Sequence, residues 1–321
     1  MRNGFIRSDE PTNSHIDATI IIPTKNEENN IGICLDAIFK QETSCSFELI
    51  IIDSGSTDKT LSIIREYEGI RLIEIKPEDF GHGKTRNMGG KLAKGKYIVF
   101  LNADAVPVDS HWLDTLLEPF ANDPGQKIAG VYSRHLPKES CDLYMARDIL
   151  KSMPAERFTR THVRSLDFMI FSTVSCAVRR DTWIDSPFHD EIPIAEDQHW
   201  AAKIIEKGFQ IIYEPASTVY HSHNYSPNQM YLIKYNVGTA TCPFKTKPRA
   251  VILGFILSLG GTVIKLAGDF LFIFFKSKSI KPLSLPGKFK EFFKAIRLRS
   301  AGAIGKYKGW IRCREFRPKE Q

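Results

Sequence analysis

This chain predicts an α/β protein built on a Rossmann-like nucleotide-binding sheet with helices on both faces. Short β-branched or apolar runs recur at residues 18–22, 48–52, 70–75 and 96–101. Helical patterns fill the intervals between them. Polar clusters close three of the runs: Pro23-Thr24-Lys25-Asn26-Glu27, Asp53-Ser54-Gly55-Ser56-Thr57-Asp58 and Asn102-Ala103-Asp104. Strands alternating with helices at this spacing imply a parallel sheet with right-handed crossovers. Ligands of such sheets bind beyond the carboxyl ends of the strands, so the clusters mark one edge as the site.

The first strand ends at Pro23. Residues 28–39 then place Ile31, Leu35, Ile38 and Phe39 at helical spacing. After the second strand, Thr57 is placed to cap a helix whose apolar face is Leu61, Ile64 and Tyr67. The third strand leads to Gly81-His82-Gly83, which opens a helix through Arg86 and Asn87, and the fourth strand runs into Asp104. No GxGxxG follows the first strand, which argues against a dinucleotide cofactor. Beyond this half the pattern loosens: strands are expected at 128–135, 169–178, 209–213 and 218–223, and a helix at 196–207. The expected domains are a polar extension over residues 1–17, without the apolar core of a secretory signal, a nucleotide-binding domain over 18–240, and membrane-associating helices with a basic tail over 241–321.

Charge is divided unevenly. Residues 276–321 carry 14 Lys and Arg against three Glu, while the remainder is mildly acidic and the whole chain is +7. Such asymmetry points to an anionic surface as partner. Residues 251–264 carry no charge, but Lys265 and Asp269 interrupt the apolar stretch before the ~20 residues a span requires. Four apart on a helix, those two can pair. A helix lying in the membrane interface, held by phenylalanines and the basic tail, is the leading expectation; a single span and a buried helix pair are the alternatives. The tail has aromatics that can stack on bases, yet it holds no recognised nucleic-acid module, and no nucleic acid is expected. Six scattered cysteines fit buried thiols in a reducing compartment.

Each motif has a structural and a chemical reading. Asp53 can accept from a pyrimidine N3–H, or its cluster can be a turn with a helix cap. Asp104 can hold Mg²⁺ with phosphate oxygens and water completing the shell, Asn102 assisting, or the segment can be a polar loop before Pro107. Lys84 and Arg86 lie in the first turns of a helix, where backbone N–H groups favour an anion such as a diphosphate; otherwise they form a solvated face. Glu196 and Asp197 open a helix, a placement the dipole favours with or without chemistry. His221 and His223 alternate along a strand, and one can complete a metal shell or both can lie at the surface.

Together these residues resemble a family 2 glycosyltransferase of the GT-A fold over residues 18–225, about two-thirds of the chain. Phe80-Gly81-His82-Gly83-Lys84-Thr85-Arg86-Asn87-Met88-Gly89 and His221-Ser222-His223-Asn224-Tyr225 are similar to the rhamnosyltransferase-like branch. The resemblance implies that Pro23, Lys25, Glu27 and Asp53 line the base and ribose. It implies that Asn102 and Asp104 occupy the acidic metal turn, with Mg²⁺ or Mn²⁺ as cofactor, and that Asp197 is the catalytic base. Asn102 departs from the usual first Asp. No Gln-x-x-Arg-Trp element follows Asp197, so transfer of a single sugar is implied. The implied reaction is inverting transfer from dTDP-rhamnose, or another dTDP or UDP sugar, to a hydroxyl of a lipid-linked or cell-surface glycan at the cytoplasmic face of the membrane. A polyprenyl-phosphate sugar synthase and a non-catalytic nucleotide-sugar-binding scaffold are the alternatives.

Overall fold

The structure, a computed structural model, describes residues 5, 15–163, 171–192, 194–240 and 248–315. Most of the expected N-terminal extension, residues 169–170 of a predicted strand, Pro193 and the end of the tail lie outside the described residues. The first half follows the expected order: β1 (Ala18–Thr24), α1 (Ile31–Phe39), β2 (Phe47–Asp53), α2 (Thr60–Ile64), β3 (Arg71–Glu74), α3 (His82–Leu92) and β4 (Tyr97–Leu101). Next come β5 (Val106–Pro107), α4 (Trp112–Ala121), β6 (Ile128–Leu136) and α5 (Leu143–Ser152). They are followed by β7 (Phe158–Arg160), β8 (Ser175–Arg179), α6 (Arg180–Asp185), α7 (Glu196–Glu206) and β9 (Gln210–Tyr220). Three helices complete the order: α8 (Pro227–Ala240), α9 (Pro248–Leu271) and α10 (Leu285–Glu315).

The chain divides into two compact units. The first comprises Met1–Leu136, Ser152–Ile192 and Glu196–His221; the second comprises Pro137–Lys151, Pro193–Ala195 and Ser222–Gln321. In the first, a single sheet has the order β3-β2-β1-β4-β8-β6-β9-β5, with β7 also paired to β9. Its β3-β2-β1-β4 portion is parallel, as expected. Successive residues of the central strands face opposite layers. Ile20, Leu49, Ile51 and Val99 pack under α1 and α4, while Ile21, Ile50, Ile52 and Ile98 pack among Trp183 of α6 and Trp200 of α7. Strands buried on both faces read as continuous apolar runs, which is why β1, β2 and β4 were legible.

Several expectations are corrected. The sheet is mixed, because β8 enters antiparallel between β4 and β6. The strand expected at 169–178 contracts to β8, and the backbone before it serves the start of α7: Phe171 O accepts from the Gln198 side chain, and Thr173 N donates to Asp197. The two strands expected at 209–213 and 218–223 are one strand, β9. Its pairing with β6 shifts between Glu214 and Thr218, which lets Pro215 stand outside the ladder. Because β9 ends at Tyr220, His221 and His223 lie beyond its alternation. Thr57 does not cap α2; its N–H donates to Asn26, and Asp58 Oδ1 takes the Thr60 N–H at 2.9 Å.

The second unit is helical. Along α8 and α10, Gly302 lies against Met230 and Lys234, Gly305 against Tyr231, and Gly309 against Tyr235 and Thr239, so the two helices run in the same direction. A Cβ on Gly305 would stand 2.2 Å from the Tyr231 carbonyl oxygen. Only glycine permits that approach. Asp269 of α9 is fully buried and does not rely on Lys265: Arg147 donates to it at 2.8 Å, and Arg299 reaches both its oxygens at 2.8 and 2.9 Å. Arg299 also grips Asp148 with two N–H groups. No helix among the described residues is long and apolar enough to cross a membrane, which removes the single span considered for α9.

Candidate active site

The carboxyl ends of β1 and β2 are laced together. Thr24 and Asp53 are register partners. Beyond them, Asn26 N donates to Ser56 Oγ at 2.8 Å, Glu27 N to Thr60 Oγ1 at 2.7 Å, and Glu28 N to Asp58 Oδ2 at 3.1 Å. Asn26 has φ 54°, a left-handed conformation that asparagine tolerates. Asp53 is buried, and its Oδ1 accepts the N–H groups of Gly55 and Ser56 at 2.9 and 2.8 Å. Its Oδ2 accepts the Ser56 hydroxyl. The carboxylate therefore shapes the turn. Pro23 is half-buried, and Lys25 stands exposed beside it. The Glu27 carboxylate accepts from Asn30 Nδ2 at 2.7 Å.

Arg86 occupies the centre of the next constellation. Gly83 allows α3 to start against the His189 backbone, whose carbonyl oxygen would lie 2.3 Å from a Cβ there. One turn on, Arg86 is buried; its Nη1 donates to Glu196 Oε1 at 3.0 Å and its Nη2 to Asn102 Oδ1 at 2.9 Å. The guanidinium thus joins the turn after β4 to the start of α7. Lys84, by contrast, is exposed and 3.4 Å from Asp79.

Asp197 sits at the first turn of α7, partly buried. Gln198 N donates to its Oδ1 at 2.8 Å and Thr173 N to its Oδ2 at 3.3 Å. Burial first, and the Glu196 charge second, push its pKa from 3.8 up to about 6. Such a carboxylate is ionised at neutral pH yet more basic than an ordinary one. Its neighbour Glu196 is engaged by Arg86, so the adjacent acids have different surroundings.

Asp104 is buried, and its Oδ2 lies 3.5 Å from His221 Nε2. The His221 backbone N–H is fixed by Leu136 O at 2.9 Å. A carboxylate oxygen and an imidazole nitrogen at this separation suit a divalent cation such as Mn²⁺. His223, the other imidazole of the sequence motif, falls in the second unit.

Sequence reasoning missed two imidazoles here. His135 of β6 is buried, its ring centroid 5.6 Å from that of His221, and its Nε2 has no hydrogen-bond partner among the described residues. Burial, then His221, push its pKa down to about 3 against the pull of Asp104, so it stays neutral. His82 opens α3, with its ring 5.2 Å from Phe80. Desolvation, then Arg86, depress its pKa to about 4, while Asp197 pulls it upward. The Gly81-His82-Gly83 segment was the available signal for His82; His135 had none.

Residues 19–182 match the family described as Glycosyl transferase family 2. The O-antigen chain rhamnosyltransferase RfbN of Salmonella typhimurium is 34% identical over 226 residues, covering 68% of this chain and 71% of that protein. WbaN of Salmonella anatum, also an O-antigen chain rhamnosyltransferase, is 30% identical over 226 residues, with 68% and 70% covered. Among solved structures, the mannosyltransferase PcManGT from Pyrobaculum calidifontis, in complex with GDP-Man and Mn²⁺, matches with a TM-score of 0.57. It is 19% identical, and 95% of this chain and 90% of that one are covered.

Proposed function

Because the chain belongs to glycosyl transferase family 2, and so is an inverting enzyme with a nucleotide-sugar donor, we propose that it transfers one rhamnosyl unit from a nucleoside diphosphate donor to a hydroxyl of a lipid-linked glycan. The donor of this reading is dTDP-rhamnose, and other dTDP and UDP sugars are its competitors. Two relatives that are O-antigen chain rhamnosyltransferases support it. The observation that carries the chemistry is the setting of Asp197, a carboxylate with a raised pKa held by two backbone N–H groups.

In this reading the base and ribose lie against Pro23, Lys25, Glu27 and the turn that Asp53 shapes, with Lys84 and the Asn102 amide toward the diphosphate. Arg86 acts here as a positioning residue, since its Nη1 donates to Glu196 and its Nη2 to Asn102. Asp104 and His221 would hold Mg²⁺ or Mn²⁺, as the mannosyltransferase structure with Mn²⁺ encourages. Held there, the cation would supply positive charge against the departing diphosphate. Asp197 accepts the proton of the acceptor hydroxyl as its oxygen attacks the anomeric carbon opposite the leaving group, and a single displacement inverts that centre.

Attachment to an anionic membrane surface belongs to the same proposal. The basic segment 276–321 suits the negatively charged cytoplasmic leaflet, where a lipid-linked acceptor is presented. Purified full-length protein incubated with dTDP-rhamnose, UDP sugars and a lipid-linked glycan, with Mg²⁺ or Mn²⁺, tests the reading. Acceptor-dependent release of dTDP is expected. Transfer only to polyprenyl phosphate, or no turnover of any nucleotide sugar, overturns it.

A further inference from the structure

The end of α9 reverses the usual amphipathic order. The helix buries its one acidic group, Asp269, against Arg147 and Arg299, and leaves apolar side chains outside. Ile264, Leu271 and Phe275 are 73%, 56% and 73% exposed. On α10, Leu285, Phe289 and Phe293 recur every four residues and so share a face; they are 61%, 45% and 62% exposed. Ring contacts make one patch of the two helices. Phe274 stacks on Phe270 at 4.5 Å and meets Phe289 edge-on at 5.1 Å, while Phe270 meets Phe292 at 5.4 Å. A π-helical turn over Phe272–Lys276 carries Phe274 and Phe275 and leads into the 3₁₀ turn that follows.

Charge decides what covers this patch. Residues 270–300 hold eight Lys and Arg and a single acid, Glu291, which already faces Lys281 at 3.7 Å. Lys276, Lys278, Lys290 and Arg297 are exposed. A second copy of the chain would set these cations against their own like, whereas an anionic bilayer neutralises them while its acyl region receives the rings. We propose that the outer surface of α9 and α10 around Phe275, Phe289 and Phe293 inserts into the headgroup layer of an anionic membrane, the exposed lysines contacting phosphates at its rim. This rests on the membrane attachment described above and assigns that attachment to a surface.

The experiment uses the full chain, vesicles of phosphatidylcholine with and without phosphatidylglycerol, and two variants. One carries Phe275→Ser, Phe289→Ser and Phe293→Ser; the other carries Lys276→Glu, Lys278→Glu and Lys290→Glu. All six side chains are solvent-exposed, so thermal melts and donor hydrolysis without vesicles should match wild type. That readout separates failure of this surface from failure of the transferase reading. Wild type should float with anionic vesicles only. The serine variant should lose at least roughly tenfold in vesicle affinity, and the glutamate variant more, since each lysine beside an anionic leaflet is worth roughly a fivefold change. Wild-type flotation by the serine variant overturns the proposal. So does a variant whose only change is a switch from dimer to monomer, or wild-type binding to single-stranded DNA in place of vesicles.

Discussion

Asp197→Asn should slow the enzyme and stabilise the protein at the same time. The amide keeps the shape of the side chain but cannot take a proton, and loss of a general base costs roughly 10²–10⁴-fold in turnover. The stability effect has the opposite sign. Burial and Glu196 raise the native pKa from 3.8 to about 6, so the native state holds more protons than the unfolded chain between those values. Stability contributed by this group therefore falls as pH rises through that window, and the full cost is present above pH 6. At about 1.36 kcal/mol per pH unit, the ionised carboxylate costs up to about 3 kcal/mol. Asparagine escapes that cost but can accept only one of the two backbone N–H groups. Giving up the longer one, from Thr173 at 3.3 Å, returns about 1 kcal/mol. A net gain of about 1–2 kcal/mol at pH 7.5 should appear as a melting temperature higher by about 2–8 °C. It should vanish near pH 4. Calorimetric melts at both pH values, beside initial rates with the lipid-linked acceptor, make the check. Near-normal turnover, or a variant less stable at pH 7.5 than at pH 4 relative to wild type, refutes the reasoning.

The acid limb of kcat/KM in the wild type should have its midpoint near pH 6; Glu196→Gln should move it to lower pH without reaching 3.8, because burial is the larger cause and remains. Asp104→Ala should abolish the Mn²⁺ dependence of nucleotide binding in calorimetric titrations, and His221→Ala should weaken it; unchanged affinity in Asp104→Ala removes that residue from the site. Arg86→Met strands the buried Glu196 carboxylate and should destabilise by about 3–5 kcal/mol, part of which Glu196→Gln in the same chain restores, as denaturant titrations of both will show. Gly305→Ala should melt well below wild type while donor hydrolysis by the remaining folded protein persists, since its Cβ would stand 2.2 Å from Tyr231 O.

The parallel half of the sheet was legible because β1, β2 and β4 are buried on both faces, and burial leaves an unbroken apolar run in the sequence. The other half was not, for reasons of distance and interruption. Nothing local announces that β8 will enter antiparallel beside β4, and Pro215 made β9 read as two strands. Helix α4 went unread, and it carries Pro119 within it. In the site, residue types at strand ends were readable, but partners were not. Arg86 has the composition of a phosphate ligand, and only its meeting with Glu196, 110 residues away, shows that its charge is engaged. Asn102 looked like a defective acidic turn until its amide oxygen was found accepting from that same guanidinium.

That guanidinium has a consequence for descent. Asn102 stands two residues before Asp104, and Glu196 one before Asp197, so one side chain fastens the turn that carries Asp104 to the helix that carries Asp197. An acid at position 102 would give Arg86 two anions to serve and add negative charge beside Asp197. The three positions should therefore be inherited as a set: lineages with an acid at 102 should also change at 86 or 196, and single exchanges between such lineages should be poorly tolerated until the matching partner is exchanged as well.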